Sequence, residues 1–227
     1  MLARFKVCCI LSRAEAALAA SHGACALGLV SEMPSGPGVI SEESIRRIAS
    51  SAPAGVSTFL LTAQTEPGAI AAQHRRCGTA VIQLVDRLER RAYADLRAAL
   101  PGIRLVQVVH VTGLESVDEA EFVAPDVDAL LLDSGRTDLP VKELGGTGRT
   151  HDWAVSRSIR EAVDVPIFLA GGLDSENVRD AVLAVRPYAV DVCSGLRTDG
   201  HLDERKLAAF VSALTGYPGP AIHGRPE

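Results

Sequence analysis

Short apolar segments alternate with helical segments along the whole chain, and this alternation restricts the fold more than any other feature. Each apolar segment is rich in Val, Ile, Leu or Phe, and each precedes a segment with helical spacing. The predicted strands are 4–10, 26–30, 56–62, 80–85, 104–111, 129–133, 165–171 and 189–195. The predicted helices are 13–22, 41–50, 66–76, 89–99, 115–122, 152–162, 174–185 and 203–214.

Strand–helix units repeated in this order predict an α/β fold, the (β/α)8 TIM barrel. The length of 227 residues lies at the short end of the range for that fold. A doubly wound open sheet is the alternative, but no G-x-G-x-x-G follows the first strand. We expect a single barrel domain over residues 1–215 and a disordered tail over 216–227, which is rich in Gly and Pro.

The composition argues against several classes of protein. A net charge of −5 and a pI of about 5.7 disfavour a nucleic-acid-binding surface. No apolar run approaches the roughly 20 residues of a membrane span, and charges interrupt the N-terminal segment, which argues against a signal peptide. The 5 cysteines show no C-x-x-C spacing. We therefore expect reduced thiols in a cytoplasmic protein.

Two reactive side chains stand at strand ends, where this fold places its active site. Cys8 lies near the end of the first strand and Asp133 ends the sixth, so the two would face each other across the mouth of the barrel. A thiol and a carboxyl in this position can serve as base and acid on one small substrate. Packing of a buried thiol, and a turn capped by Asp133, explain the same residues equally well.

Glycines follow the last two predicted strands. Gly171 and Gly172 follow the seventh, and Ser194 and Gly195 follow the eighth. Glycine allows backbone N–H groups to approach an anion, and a helix N-terminus favours negative charge. Phosphate sites in this fold lie at these two connections, so the pattern favours a phosphate site over simple chain reversal.

Four sequence motifs lie at the predicted strands and the connections after them, and together they extend over nearly the whole chain. They are KVCCI at 6–10, LLLDSGRTDLPVKELGGTGRTHDW at 130–153, LAGGLDSENV at 169–178 and VDVCSG at 190–195. Together they resemble the motifs of the phosphoribosylanthranilate isomerase family of tryptophan biosynthesis. The match is strongest in the C-terminal half of the chain.

The resemblance implies an aldose–ketose isomerase that converts a phosphorylated aminoaldose to an aminoketose by an Amadori rearrangement. It implies that Asp133 is the general acid that opens the ribose ring and that Cys8, as a thiolate, is the general base at C2. It also implies a set of phosphate-binding residues, namely Gly146, Gly148, Gly171, Gly172, Ser194 and Gly195. No cofactor or metal is expected because each step is a proton transfer. The expected partner is the small phosphorylated substrate, and the protein is expected to be a monomer or a homodimer.

Some residues depart from the pattern of the family. The family has an arginine in its second loop that meets the anthranilate carboxylate, whereas the loop 31–41 has none. Arg13, Arg136 and Arg197 are candidates for that contact, and Arg197 itself replaces an acid. The acid–base chemistry is therefore better supported than the identity of the amine on the substrate, and two alternatives stay open. One is a related isomerase with another amine or sugar, and the other is a non-catalytic barrel that binds a sugar phosphate.

The first strand allows a further expectation about its side chains. Residues two apart on a strand share a face, so Lys6 would lie beside Cys8 and would help to form a thiolate near neutral pH. Cys9, which replaces a family glycine, would point to the opposite side and pack against the helices.

Overall fold

The computed structural model describes residues 3–135 and 150–216, which form a closed barrel of parallel strands. The strands are β1 Phe5–Val7, β2 Ala26–Val30, β3 Ser57–Thr62, β4 Val81–Leu84, β5 Arg104–His110, β6 Ala129–Asp133, β7 Ile167–Leu169 and β8 Ala189–Val192. Each pairs with its neighbour in the chain, and β8 closes the sheet on β1. The predicted (β/α)8 barrel is confirmed, while most of the tail predicted to be disordered lies outside the described residues.

A helix follows each strand of the barrel. The helices are α1 Arg13–Ser21, α2 Glu42–Ala49, α3 Pro67–Cys77, α4 Arg90–Ala99, α5 Glu115–Val123, α6 Trp153–Ala162, α7 Val178–Val185 and α8 Glu204–Leu214. Two short 3-10 helices, 124–126 and 194–196, and a small antiparallel ribbon of β9 Arg197–Thr198 and β10 His201–Leu202 were not predicted. Within the described ranges, none of the helices is long and apolar enough to cross a membrane.

The predicted element boundaries differ from the observed ones mainly where the strands end. The first strand stops at Val7 rather than at residue 10, so Cys8 and Cys9 belong to the loop after it. The seventh helix begins at Val178 because Asp174 instead closes a turn, where its carboxylate accepts hydrogen bonds from the N–H groups of Glu176 and Asn177. Ser41, by contrast, caps α2 as its sequence position predicts, since its hydroxyl accepts from the N–H of Ser44.

The side-chain alternation of the strands separates two cores. Phe5 and Val7 point outward into the layer between sheet and helices. The inward face holds a smaller cluster that includes Phe59 and Phe168, whose rings meet edge to face with centroids 5.8 Å apart. Because the period of a strand is two residues, Asp133 at the end of β6 projects into the barrel mouth.

Candidate active site

Cys8 and Asp133 line one pocket at the carboxyl-terminal end of the barrel, as predicted from the sequence. The backbone N–H of Cys8 continues the pairing to β8 by donating to the carbonyl oxygen of Val192 at 2.8 Å. Asp133 is held by the N–H of Ser134, which donates to its Oδ1 at 2.7 Å. The pocket therefore contains a thiol from the first βα connection and a carboxyl from the sixth strand.

Three of the predicted phosphate-binding residues, Gly171, Gly172 and Ser194, line the same pocket. Gly195 lies against the turn after β7, where an added methyl group would come within 2.9 Å of Asp174 Cβ. The two glycine connections thus pack directly on each other. The predicted contacts from Gly146 and Gly148 lie outside the described residues.

The glycine turn after β7 is fixed by Asn177, which belongs to the motif LAGGLDSENV but is not among the predicted site residues. Gly171 and Gly172 have φ values of 86° and 61°, a region that favours glycine. The side-chain amide of Asn177 donates to the carbonyl oxygen of Gly172 at 2.8 Å, and its oxygen accepts from the N–H of Asp174 at 3.0 Å. These two hydrogen bonds hold the turn that would present backbone N–H groups to an anion.

A neutral histidine adjoins the same turn. His151 Nε2 lies 2.6 Å from Ser156 Oγ, and a methyl group at Gly171 would come within 2.9 Å of His151 Nδ1. Burial lowers the pKa of His151 to about 4, against the opposing effect of Asp152. The imidazole is therefore uncharged at neutral pH and adds a polar group without adding a cation.

The ionisation of the acid and the base depends on burial. Burial raises the pKa of Asp133, although the N–H of Ser134 and the charge of His110 oppose it, so this carboxyl holds its proton to higher pH than usual. Burial also raises the pKa of Cys8 to about 11, against the opposing charge of Lys6. The expected thiolate near neutral pH is thus not the resting form of this site, because the desolvation of the thiol outweighs the ammonium.

No lysine or arginine of the described residues lines the pocket. Its remaining wall is mainly apolar and includes Val30, Met33, Pro37, Leu61 and Val85. Arg13 is exposed at the start of α1, and Arg136 lies outside the described residues. Among the described residues, no group of three or more His, Cys, Asp or Glu side chains forms a metal site.

The prediction that Cys9 packs against the helices is wrong. Cys9 lines the pocket and forms a disulfide with Cys193, the residue after β8, so the expectation of uniformly reduced thiols is also wrong for this pair. The physical reason is that Cys9 adopts φ 61°, a left-handed conformation that ends the alternation of the strand. Cys8, Cys25 and Cys77 remain free thiols.

Arg197 does not face the pocket but holds the loop that carries Cys8. Its guanidinium donates to the carbonyl oxygens of Cys8, at 3.2 Å, and of Cys9, and it pairs with Glu15 Oε2 at 3.2 Å. The side chains of Arg197 and Glu15 are only 8% and 11% exposed. The candidate role of Arg197 as the substrate carboxylate contact is therefore not supported by its position.

We expect Arg197→Met to lower the free energy of unfolding by about 3–5 kcal/mol, because it leaves the Glu15 carboxylate buried without its partner. Burial alone would raise the pKa of Glu15, but the N–H groups of Leu11 and Leu202 and the side chain of Arg197 outweigh it and lower the pKa. A carboxylate with a lowered pKa stabilises the fold above its ordinary pKa and loses that contribution as pH falls. Urea unfolding at pH 7 and pH 4 measures both effects, and the loss should be smaller at pH 4.

The control for this variant is Arg157→Met. Arg157 pairs with Glu161 on the surface of α6, where the two side chains are 61% and 51% exposed. Such pairs contribute at most about 1 kcal/mol. Equal losses in the two variants would contradict the structural role given to Arg197.

Comparisons with known proteins give the family of the chain. The family model described as N-(5'-phosphoribosyl)anthranilate (PRA) isomerase matches residues 5–213. The N-(5'-phosphoribosyl)anthranilate isomerase of Halobacterium salinarum is 36% identical over 225 residues, which cover 97% of this chain and 100% of that protein.

Solved structures give the same result. The phosphoribosyl anthranilate isomerase of Thermotoga maritima matches with a TM-score of 0.81 and 28% identity, covering 95% of this chain and 100% of that one. Another isomerase of this name, solved in complex with reduced 1-(o-carboxyphenylamino)-1-deoxyribulose 5-phosphate, matches with a TM-score of 0.79 and 26% identity over 95% of this chain and 100% of that one. The chain belongs to the N-(5'-phosphoribosyl)anthranilate isomerase family.

Proposed function

We propose that this protein is a phosphoribosylanthranilate isomerase in which Asp133 is the general acid and Cys8 is the general base. The observation that supports the proposal most strongly is the meeting of Cys8, Asp133 and the glycine turn 171–172 in one pocket. A substrate anchored by its phosphate at the glycine turns would place its ribose carbons between the thiol and the carboxyl. No cofactor takes part in the proposed reaction.

The proposed reaction consists of proton transfers. Asp133 donates its proton to the ring oxygen, the bond from that oxygen to C1 breaks, and the electron pair on nitrogen forms an iminium. The Cys8 thiolate then removes the proton from C2, and the electrons of that bond neutralise the iminium to give an enolamine. Protonation at C1 and loss of the hydroxyl proton at C2 yield the aminoketose. The raised pKa of Asp133 supports its part, since a carboxyl must be protonated to act as an acid.

Steady-state turnover of phosphoribosylanthranilate by the purified protein tests the function, and rescue of a tryptophan auxotroph lacking this isomerase tests it in cells. Turnover in vitro together with rescue is the expected result. Failure of both would reject the proposed substrate.

A second candidate is an isomerase of the same mechanism with a different amine on the sugar. The favouring observation is that no cation among the described residues lines the pocket to meet an aromatic carboxylate. Removal of a charge-assisted hydrogen bond typically weakens binding by about 1.5–3 kcal/mol. Proton exchange at C2 of a phosphorylated aminoaldose lacking the aryl carboxylate, without turnover of phosphoribosylanthranilate, would favour this candidate.

The substrate phosphate is expected to bind the backbone N–H groups of Gly172 and Gly195. We predict that Gly195→Ala raises KM by about 10-fold to 100-fold with a smaller change in kcat, because an added methyl group meets the carbonyl oxygen of Leu173 and displaces the turn. Initial-rate kinetics measure both constants. The control is Gly68→Ala on α3, where an added methyl group has nothing within 4 Å.

A crystal grown with phosphate or sulfate tests the same site directly. An anion against the N–H groups of Gly172 and Gly195 is the expected result. An anion bound only elsewhere, with these N–H groups covered by side chains, would count against the assignment.

We further propose that residues 1–215 form one domain, that the protein is a monomer or homodimer, and that it is cytoplasmic. The cytoplasmic location is supported by the biosynthetic function, whereas the Cys9–Cys193 disulfide is more typical of oxidising compartments. Thiol quantification after acid quenching of intact cells tests the point. A bridge that is fully formed in cells would argue against a reducing compartment.

A further inference from the structure

Lys6 is fully buried inside the barrel, beneath the pocket. Its Nζ lies 2.6 Å from Asp191 Oδ2, and the side chains of Lys6 and Asp191 are 0% and 6% exposed. The two residues are register partners on β1 and β8, and the Phe59 ring centroid is 5.4 Å from the ammonium. A buried ammonium requires a partner of opposite charge. Burial by itself would lower the pKa of Lys6, but the effect of Asp191 outweighs it, and the pKa of Lys6 is raised.

The ion pair lies next to the thiol of Cys8. A methyl group added at Gly28 would lie 2.7 Å from Cys8 Sγ and 3.2 Å from Lys6 Nζ, so both atoms approach the same point on β2 and the glycine leaves room for them. Asp191 lines the pocket together with Cys8. Its Oδ1 has no hydrogen-bond partner among the residues that the structure describes.

The charged groups around the thiol act in opposite directions. Cys8 faces Lys6 from β1, Asp191 from β8 and Asp133 from β6, while Cys9 beside it is in the disulfide. After burial, which raises the pKa of Cys8, Lys6 has the largest effect and lowers it, and the two carboxylates raise it. Lys6 in turn faces Asp191, Cys8 and, more weakly, Cys25.

Lys6 acts unequally on the acid and the base. It has the largest effect of any charge on Cys8, whereas its effect on Asp133 is weaker than those of Ser134, His110 and Asp191. The form with a thiolate and a carboxylic acid has the same total charge as the form with a thiol and a carboxylate, and the two differ only in which group holds one proton. Lys6 Nζ and Cys8 Sγ approach the same point on β2, so the ammonium favours a negative charge on the thiol and shifts that proton toward Asp133.

We propose that Lys6, held by Asp191, is a positioning residue that favours the form of the site in which Cys8 is a thiolate and Asp133 carries the shared proton. The proton lost by Cys8 is the one that Asp133 holds, so the base and the acid are formed together and no net charge is created. This inference rests on the proposed function, which gives Cys8 and Asp133 their roles. The competing explanation is an ion pair that only fills the barrel.

The two explanations predict different signs for two variants. Lys6→Met removes the ammonium and should raise the pH at which Cys8 ionises, so its alkylation by iodoacetamide at pH 8 should slow by about tenfold or more. Asp191→Asn removes the opposing carboxylate and leaves the Cys8 thiolate as the partner that the buried ammonium requires. The variant should therefore lower that pH, and alkylation should become several-fold faster. A pair with a purely structural role would give no opposite shifts.

The measurement is the rate of Cys8 alkylation from pH 6 to pH 11, quantified by peptide mass spectrometry in the whole protein. Cys77 is fully buried on α3 and has no Lys6 among the charges that act on it, so its alkylation reports global opening. Circular dichroism and melting curves establish that each variant is folded. Kinetics add a second readout, since Lys6→Met should lower kcat far more than it changes KM.

Opposite shifts in folded variants support the proposal, and unchanged profiles or shifts of the same sign overturn it. If Lys6→Met does not fold, Asp191→Asn decides alone, because an unchanged or slower Cys8 rate would overturn the proposal. The alkylation experiment needs no substrate. A protein without isomerase activity that still shows opposite shifts would therefore reject the proposed function and leave the coupling of Lys6 to Cys8 intact.

Discussion

Cys8→Ser is expected to lower kcat/KM for phosphoribosylanthranilate by about 10²–10⁴-fold, the usual loss when a general base is removed. Serine keeps nearly the same shape, but its hydroxyl does not ionise in the accessible pH range. Cys8 is 7% exposed and lines the pocket, so a smaller polar atom there has little effect on the barrel. Steady-state kinetics of the folded variant measure the loss.

The matched control is Cys25→Ser at the opposite end of the barrel. Cys25 precedes β2, and its thiol donates to the carbonyl oxygen of Phe5 at 3.2 Å, a contact that a serine hydroxyl can replace. Activity should stay close to that of the native protein. An active Cys8→Ser variant would remove the thiol from the mechanism.

The variant Cys9→Ser distinguishes the role of Cys9 from that of the neighbouring Cys8. It breaks the bridge to Cys193, and loss of a disulfide typically lowers stability by about 2–4 kcal/mol. Its main effect should therefore appear in chemical unfolding. An inactive Cys9→Ser variant together with an active Cys8→Ser variant would show that the base is Cys9 and that its assignment to Cys8 is wrong.

Asp133→Asn should reduce turnover by a similar factor of about 10²–10⁴. Asparagine keeps the volume and an oxygen that can accept from the N–H of Ser134, but it has no proton to give to the ring oxygen. Binding of a ribose 5-phosphate analogue should change by only a few-fold, since the glycine turns are untouched. Calorimetric titration alongside steady-state kinetics distinguishes lost chemistry from lost binding.

The control for the acid is Asp128→Asn, just before the start of the same strand. Asp128 Oδ2 accepts from the N–H of Leu105 at 2.8 Å and from Arg97 Nη2 at 3.0 Å, so its role is structural. It should lose stability and keep kcat. Parallel losses of kcat in both variants would show that Asp133 acts through the fold and not as an acid.

The sequence predicted the barrel and its mouth because both depend on local periodicity. The two-residue period of β6 places Leu131 and Asp133 on the inward face, and the same period places Lys6 and Cys8 together. The prediction failed where the chain leaves the extended conformation. Cys9 takes a left-handed conformation, so a rule for strands cannot give its direction.

Long-range contacts were the other part that the sequence could not supply. The disulfide joins residues 184 positions apart, and the pair of Arg197 with Glu15 links β9 to α1. Asp191 is a sequence signal for such a contact, since a carboxylate within an apolar strand of a closed barrel must face a buried partner. Pairing it with Lys6 required the register of β1 against β8.

Transfer of the C2 proton tests the central claim most directly. Phosphoribosylanthranilate labelled with deuterium at C2 is incubated with the native protein, Cys8→Ser and Asp133→Asn, and deuterium at C2 is followed by NMR. We predict that the native protein removes the deuterium as the ketose forms, and that both variants leave the label in place over the same period. Loss of the label at the native rate in Cys8→Ser would contradict the assignment of Cys8 as the base.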